Sequence, residues 1–180
     1  FSGNLMQNSK GLYTNAIYAF IKMLDHLVVQ DYDNILVAFD AGKQTFRHEM
    51  LDSYKGGRSP MPEEMRVQIP HIKEYLHIMN IKEYQLPLYE ADDIIGTMAR
   101  MAIEEGYHVD IYSSDKDLLQ LVNENTTVHL TKKGMTELDD YTPEAVIERY
   151  GLTYKQMVDL KALMGDPSDN LKGLPGVGEK

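Results

Sequence analysis

The 180-residue chain is 43% hydrophobic and 26% charged and has no cysteine. That is enough for one globular domain, leaves no disulfide framework or thiolate metal site, and suits a reducing compartment such as the cytoplasm; no apolar run is long enough to span a bilayer. Its formal charge of -10 at pH 7 argues against phosphate partners, unless the acids hold divalent cations that offset their own charge.

In chain order, "TNAIYAFIKMLDHLVV" spaces Ile17, Phe20, Ile21, Leu24, Leu27 and Val28 for an amphipathic helix, with Thr14 or Asn15 available as its cap. "NILVAFD" has the β-branched and aromatic character of a buried strand and ends at Asp40. Residues 41–62 are the least regular, a loop, an arch or a mobile helix. "PEEMRVQIPHIKEYLHIM" predicts a helix entered at Pro62 and disturbed at Pro70. "EYQLP" is a strand candidate, followed by a helix from Glu90 to about Glu105 that stops at Gly106. "YHVDIYSS" and "TTVHL" are further strands, and "TPEAVIERYG", capped by Thr142, and "TYKQMVDLKALMG" are further helices. Strands alternating with helices predict an α/β fold around a largely parallel sheet flanked by helices. The chain opens at Phe1 without an initiator Met and stops at "GVGEK", where a helix is about to begin, so it reads as part of something longer.

The chemistry-bearing residues are acidic. Asp40 follows one predicted strand, Asp115 and Asp117 follow another, and Glu90, Asp92 and Asp93 follow "EYQLP"; Asp166 and Asp169 lie in "MGDPSDN" after a helix. Ligands of open α/β sheets collect at the carboxyl ends of strands, so these eight carboxylates are expected to meet at one sheet edge. Singly each has an ordinary explanation, such as a first-turn acid favoured by the helix dipole or a turn former. Together their repulsion calls for compensating cations. With no His or Cys at ligand spacing the donors are all oxygen, which favours Mg²⁺ or Mn²⁺. Eight carboxylates exceed the need of one ion, so two are expected, about 4 Å apart, serving phosphoryl chemistry.

Residues 42–58, "GKQTFRHEMLDSYKGGR", are locally basic through Lys43, Arg47, Lys55 and Arg58, with Phe46 and Tyr54 interleaved. Cations among aromatics suit phosphate contact and base stacking. "GLPGVGEK", with Gly173, Gly176 and Gly178, would let backbone N–H groups approach a phosphate.

The stretches "VAFDAGKQTFRHEMLDSYKGGRSPMPEE", "YEADDIIGT", "SSDKDLLQL" and "MGDPSDNLKGLPGVGEK" closely resemble, in collinear order, the 5′ nuclease domain of bacterial DNA polymerase I and related flap endonucleases. The resemblance implies a PIN-like 5′ nuclease fold and a structure-specific nuclease that removes 5′ flaps, RNA primers or 5′-terminal nucleotides by two-metal hydrolysis, acting as a monomer in replication and repair. It also implies roles for individual residues. Asp40, Glu90, Asp92 and Asp93 match the more tightly metal-binding acids, and Asp115, Asp117, Asp166 and Asp169 match those around both ions. Lys55 and Arg58 match a basic pair that contacts the scissile phosphate from a helical arch, and Tyr54 an aromatic that stacks on the displaced base. Residues 1–165 would then be the catalytic core. Residues 166–180 would begin a helix-hairpin-helix element that grips duplex DNA and can bind K⁺. The family's opening strand, ending in an Asp, and the helix with a basic residue after it are not within these 180 residues. The activity is therefore expected of a longer parent, which a polymerase domain can complete. Two other classes fit parts of the pattern: a non-catalytic module that binds branched DNA through cations, and a metal-dependent ribonuclease of similar fold, which needs neither arch nor hairpin.

Overall fold

The computed structural model describes residues 6–132 and 137–178. In chain order the elements are α1 (Asn15–Val28), β1 (Leu36–Ala38), α2 (Arg47–Met50), α3 (Glu63–Arg66), α4 (Ile69–Ile78), β2 (Lys82–Tyr84), α5 (Ala91–Glu104), β3 (Val109–Ser113), β4 (Thr126–Thr131), β5 (Leu138–Tyr141), α6 (Pro143–Tyr150), α7 (Met157–Met164), β6 (Gly165–Asp166) and β7 (Leu171–Lys172). Short 3₁₀ turns cover Lys116–Leu121 and Tyr154–Gln156. The chain divides into two compact units, Phe1–Phe39 with Ser59–Tyr84, and Asp40–Arg58 with Gln85–Lys180.

In the first unit α1 and α4 pack around Leu24, Ile72 and Leu76, against Phe20, Ile35, Val37 and Phe39. β1 runs parallel to β2, Val37 opposite Glu83. The helix expected over residues 62–79 is two helices, because Pro70 lacks an N–H and sits in the first turn of α4. Gln68, fully buried between them, takes the capping role expected of Thr14 or Asn15. Its Oε1 accepts from the Ala16 and Ile17 N–H groups at 2.8 and 3.1 Å. Thr14 occupies the N-cap position without a side-chain cap, and the Asn15 side-chain Oδ1 instead accepts from the Met6 N–H. β2 ends at Tyr84, so most of "EYQLP" runs on beyond the strand.

The second unit holds the larger core: Ile111 and Val128 from the strands, Leu118, Leu119 and Val122 from the 3₁₀ turn, and Ala99, Val146 and Met157 from helices. β3 pairs parallel with β4, as the intervening crossover requires, and β5 adds antiparallel to β4. β5 escapes the periodicity because its sequence, "LDDY", carries two acids at an edge. β6 and β7 form a small antiparallel hairpin around "GDPSDN". The α/β class holds: the described strands are assigned to three small sheets, and the pairs β1–β2 and β3–β4 are parallel, as expected of strands alternating with helices.

Candidate metal centre

Helix α5 starts where three acids crowd, and its first turn sorts them. Glu90 is the N-cap, extended at φ -88° and ψ 162°, in a capping box with Asp93. Asp93 Oδ2 accepts from the Glu90 N–H at 2.9 Å, and both Asp93 oxygens accept from the Arg47 guanidinium at 2.7 and 2.8 Å. The Arg47 fork holds the Asp93 carboxyl below the usual carboxylate range. Asp93, expected as a metal ligand, is therefore a helix cap and salt-bridge anchor here. Arg47, expected on substrate, spends its guanidinium on Asp93 and lies over the Phe46 ring.

Asp92 has the opposite environment. Burial, then the charges of Asp115, Asp40 and Glu90, push its carboxyl up to about 6, with Lys55 opposing. Four carboxylates from three chain segments are thus close enough to feel one another. Asp40 is fixed by accepting from the Ala91 N–H at 2.8 Å, at the positive end of α5. Asp115 accepts from the Asp117 N–H at 2.8 Å, capping the 3₁₀ turn that follows β3.

The basic stretch folds onto these acids. After the single turn of α2, residues 52–57 form turns rather than a long helical arch. Lys55, at φ 54°, places its ammonium 2.7 Å from Glu90 Oε2 while its N–H donates to the Asp169 carbonyl at 3.0 Å. Arg58 donates to Asp169 Oδ1 at 2.6 Å and to the Ser168 carbonyl at 3.3 Å. Tyr54, expected to offer a stacking face, is 6% exposed. Its hydroxyl donates toward Glu90 Oε2 at 3.2 Å and Asp169 Oδ2 at 3.0 Å, and burial and those two charges raise its pKa far above the phenol range. The ring of His48, which the sequence did not single out, packs edge-on to Tyr54 and accepts from the Thr45 N–H at 3.1 Å. Lys43 is exposed.

Asp117 and Asp166 are joined by a residue absent from the expected set. Lys161 of α7 places its ammonium 2.7 Å from Asp117 Oδ1 and 2.9 Å from Asp166 Oδ2. Burial alone would raise the Asp166 pKa, but Lys161 and the Ser168 N–H outweigh it and bring the carboxyl down to about 2. In sequence Lys161 is an ordinary last-turn cation on a helix, with no spacing that ties it to Asp117.

The glycines divide by role. Gly173 crosses the backbone of Met164 and Gly165 so closely that a Cβ would run into the Met164 carbonyl, so its smallness serves the β6–β7 hairpin. Gly176, at φ 84°, and Gly178 face open space. Glu179 and Lys180, the end of the "GLPGVGEK" stretch, lie outside the described residues.

The donor set is chemically that of a hard divalent cation: carboxylate oxygens, several mutually repelling, with Asp92 partly buried among like charges. Among the described residues no three Asp, Glu or His side chains are already gathered at ligand spacing. The chain's own cations instead close on the acids: Lys55 on Glu90, Arg58 on Asp169, and Lys161 on Asp117 and Asp166. The residues therefore fit divalent cations in chemistry and charge, with Asp40, Glu90, Asp92 and Asp115 as one group and Asp117, Asp166 and Asp169 as a second.

The sequence profile described as "5'-3' exonuclease, N-terminal resolvase-like domain" matches residues 1–151. DNA polymerase I of Bacillus caldotenax is 52% identical over 181 aligned residues, which cover 100% of this chain and 21% of that protein. The chain thus spans about a fifth of the length of the curated relatives it matches. Among solved structures, the T5 D15 protein co-crystallised with metal ions superposes with a TM-score of 0.71 at 25% identity, over 92% of this chain and 65% of that one. The bacteriophage T5 D15 flap endonuclease in a pseudo-enzyme-product complex with DNA and metal ions gives 0.72 at 24%, over 93% and 64%. The fold and the sequence agree: this chain belongs to the 5′-3′ exonuclease, N-terminal resolvase-like domain family.

Proposed function

We propose that the protein is a structure-specific 5′ nuclease that hydrolyses DNA phosphodiesters at 5′ flaps and 5′ ends, RNA primers included, with two divalent cations, Mg²⁺ or Mn²⁺. The observation that carries this reading is the convergence of Asp40, Glu90, Asp92 and Asp115 from three chain segments, with Asp40 accepting from the Ala91 N–H beside Asp92 at 2.8 Å. Crowding of that kind is costly unless cations relieve it. The metal ions of the related T5 D15 crystals support it. When bound, such ions supply an activated water and neutralise the charge that develops on the phosphate. Asp40, Glu90, Asp92 and Asp115 would hold one ion, and Asp117, Asp166 and Asp169 the other. Asp93 fixes the first turn of α5, so that Glu90 and Asp92 keep their directions. Lys55 and Arg58 lie beside Glu90 and Asp169, placed to bind a phosphate when those pairs open.

In the same reading, residues 1–165 form the catalytic core. Residues 166–180 begin a duplex-binding helix-hairpin-helix element, where Gly176 and Gly178 can approach phosphate and the hairpin can take K⁺. Within a replication and repair polymerase the domain would act as a monomer in the cytoplasm. The pairing of Lys55, Arg58 and Lys161 with these acids also suits a second reading, a non-catalytic module that binds branched DNA through cations.

Cleavage of a labelled 5′-flap duplex in Mg²⁺ separates the two. The nuclease reading expects cutting by the protein, a loss of about 10²-fold or more with Asp92→Asn, and, for Lys55→Ala, a slower cleavage step with little change in flap affinity. Flap binding in Mg²⁺ without any cutting would establish the binding module instead.

A further inference from the structure

Lys161 touches two of the site acids from separate chain segments. Its ammonium lies 2.7 Å from Asp117 Oδ1, just after β3, and 2.9 Å from Asp166 Oδ2, in the hairpin after α7. The other Asp166 oxygen accepts from the Ser168 and Asp169 N–H groups at 2.8 and 3.3 Å, so Oδ2 is the oxygen left for a cation.

We propose that Lys161 is the resident counter-ion of this acid pair, holding Asp117 and Asp166 together without metal and competing with a divalent cation for the same two oxygens. The proposal rests on the reading that these acids bind divalent ions. A divalent cation held by both Asp117 and Asp166 would sit close to the ammonium, and two cations at that separation repel. Lys161 can give way: its side chain is 43% exposed, and a four-carbon stem ending in a compact charge can swing into solvent. Once displaced, the ammonium stays beside the centre as a free positive charge, placed for the phosphate of a substrate. Lys161 is thereby a positioning residue that sets the ion concentration at which the second site fills.

The test is direct Mn²⁺ binding to the DNA-free protein, followed by the paramagnetic resonance of free Mn²⁺, in wild type, Lys161→Met and Lys161→Arg, each checked for fold by circular dichroism. Met keeps the helix and the length but removes the charge, so the weaker site should tighten by at least about tenfold. Arg keeps the charge and should leave that site within about threefold of wild type. Acetic anhydride labelling with peptide mass spectrometry gives a second readout: acetylation of Lys161 in wild type should rise on adding Mg²⁺. Unchanged or weaker Mn²⁺ binding in Lys161→Met, or Mg²⁺-independent labelling, would overturn the proposal while leaving the metal reading intact. A wild type that takes up no Mn²⁺ would instead sink the metal reading, and the proposal with it.

Discussion

Replacing Arg47 by Met separates a structural clamp from a substrate contact. Arg47 donates twice to Asp93, at 2.7 and 2.8 Å, and the two side chains are 31% and 22% exposed. A hydrogen bond to a charged group contributes about 1.5–3 kcal/mol. Partial exposure lowers that figure, and loss of the guanidinium leaves a half-buried carboxylate held only by the Glu90 N–H. The expected cost is about 2 kcal/mol at pH 7, read from the urea midpoint with an unchanged slope, or a melting temperature lower by about 4–8 °C for a chain of this length. The pH dependence fixes the cause. Because the folded Asp93 pKa is depressed, the ion pair contributes fully above the unfolded value, near 3.9, and is lost as pH falls through the folded value. The gap between wild type and variant should therefore persist from neutral pH to about 5 and narrow below about 4. In an Asp93→Asn background Arg47→Met should cost much less, giving a coupling of about 1–2 kcal/mol. A stability change under about 0.5 kcal/mol at pH 7, combined with weakened DNA binding, would show that Arg47 serves the substrate and not α5.

Two further substitutions test the scaffold. Gln68→Ala strips two acceptor bonds from the start of α1 and leaves N–H groups unsatisfied at a buried joint; it should destabilise the first unit by about 2–3 kcal/mol, with faster hydrogen exchange at Ala16 and Ile17. Exchange at those amides equal to wild type would refute the remote cap. Gly173→Ala should disrupt the β6–β7 hairpin by about 3 kcal/mol or more, because the added Cβ meets backbone. Gly176→Ala, left-handed but in open space, should cost only about 1–2 kcal/mol in thermal unfolding. Equal losses at the two positions would mean that the close crossing is not what Gly173 provides.

Periodic elements were legible because one face of each is buried. α1, α5 and α6 lie within a few residues of their expected ends, since apolar spacing, Pro and Gly mark them. β5 was not, because its two acids give an edge strand no apolar alternation to display. The acids were legible as a set, but their assignment was not. Asp92 and Asp93 are neighbours in sequence, yet one helical step of about 100° sends Asp92 among like charges and Asp93 to Arg47. Lys161 is not legible because its partner Asp117 lies 44 residues away by numbering, in a pairing that only the packing of α7 against the 3₁₀ turn after β3 creates. Gln68 capping α1 is invisible for the same reason: local cap rules point to Thr14 and Asn15, and a buried amide from the joint between α3 and α4 supersedes them.

The order of the basic stretch depends on the acids more than on a core. Between Asp40 and Arg58 only Thr45 and Tyr54 are buried; the Phe46 N–H donates to the Leu88 carbonyl at 3.0 Å, and the side-chain donors that reach beyond the stretch run to acids or, from Arg58, also to the Ser168 carbonyl. Arg47 reaches Asp93, Tyr54 reaches Glu90 and Asp169, Lys55 reaches Glu90, and Arg58 reaches Asp169. Ser53 and Lys55 add backbone links to Asn170 and Asp169. Apolar burial is indifferent to charge, but the side-chain ties are not: each weakens when its carboxylate is neutralised or taken up by another cation. Lys55 and Arg58 are therefore held most firmly while Glu90 and Asp169 have no other positive partner, and a cation taken up by those two acids would loosen both. The Arg47–Asp93 fork is the exception, since both Asp93 oxygens are committed to α5 and to Arg47. It can keep one end of the stretch fixed while the segment around Tyr54, Lys55 and Arg58 changes partners.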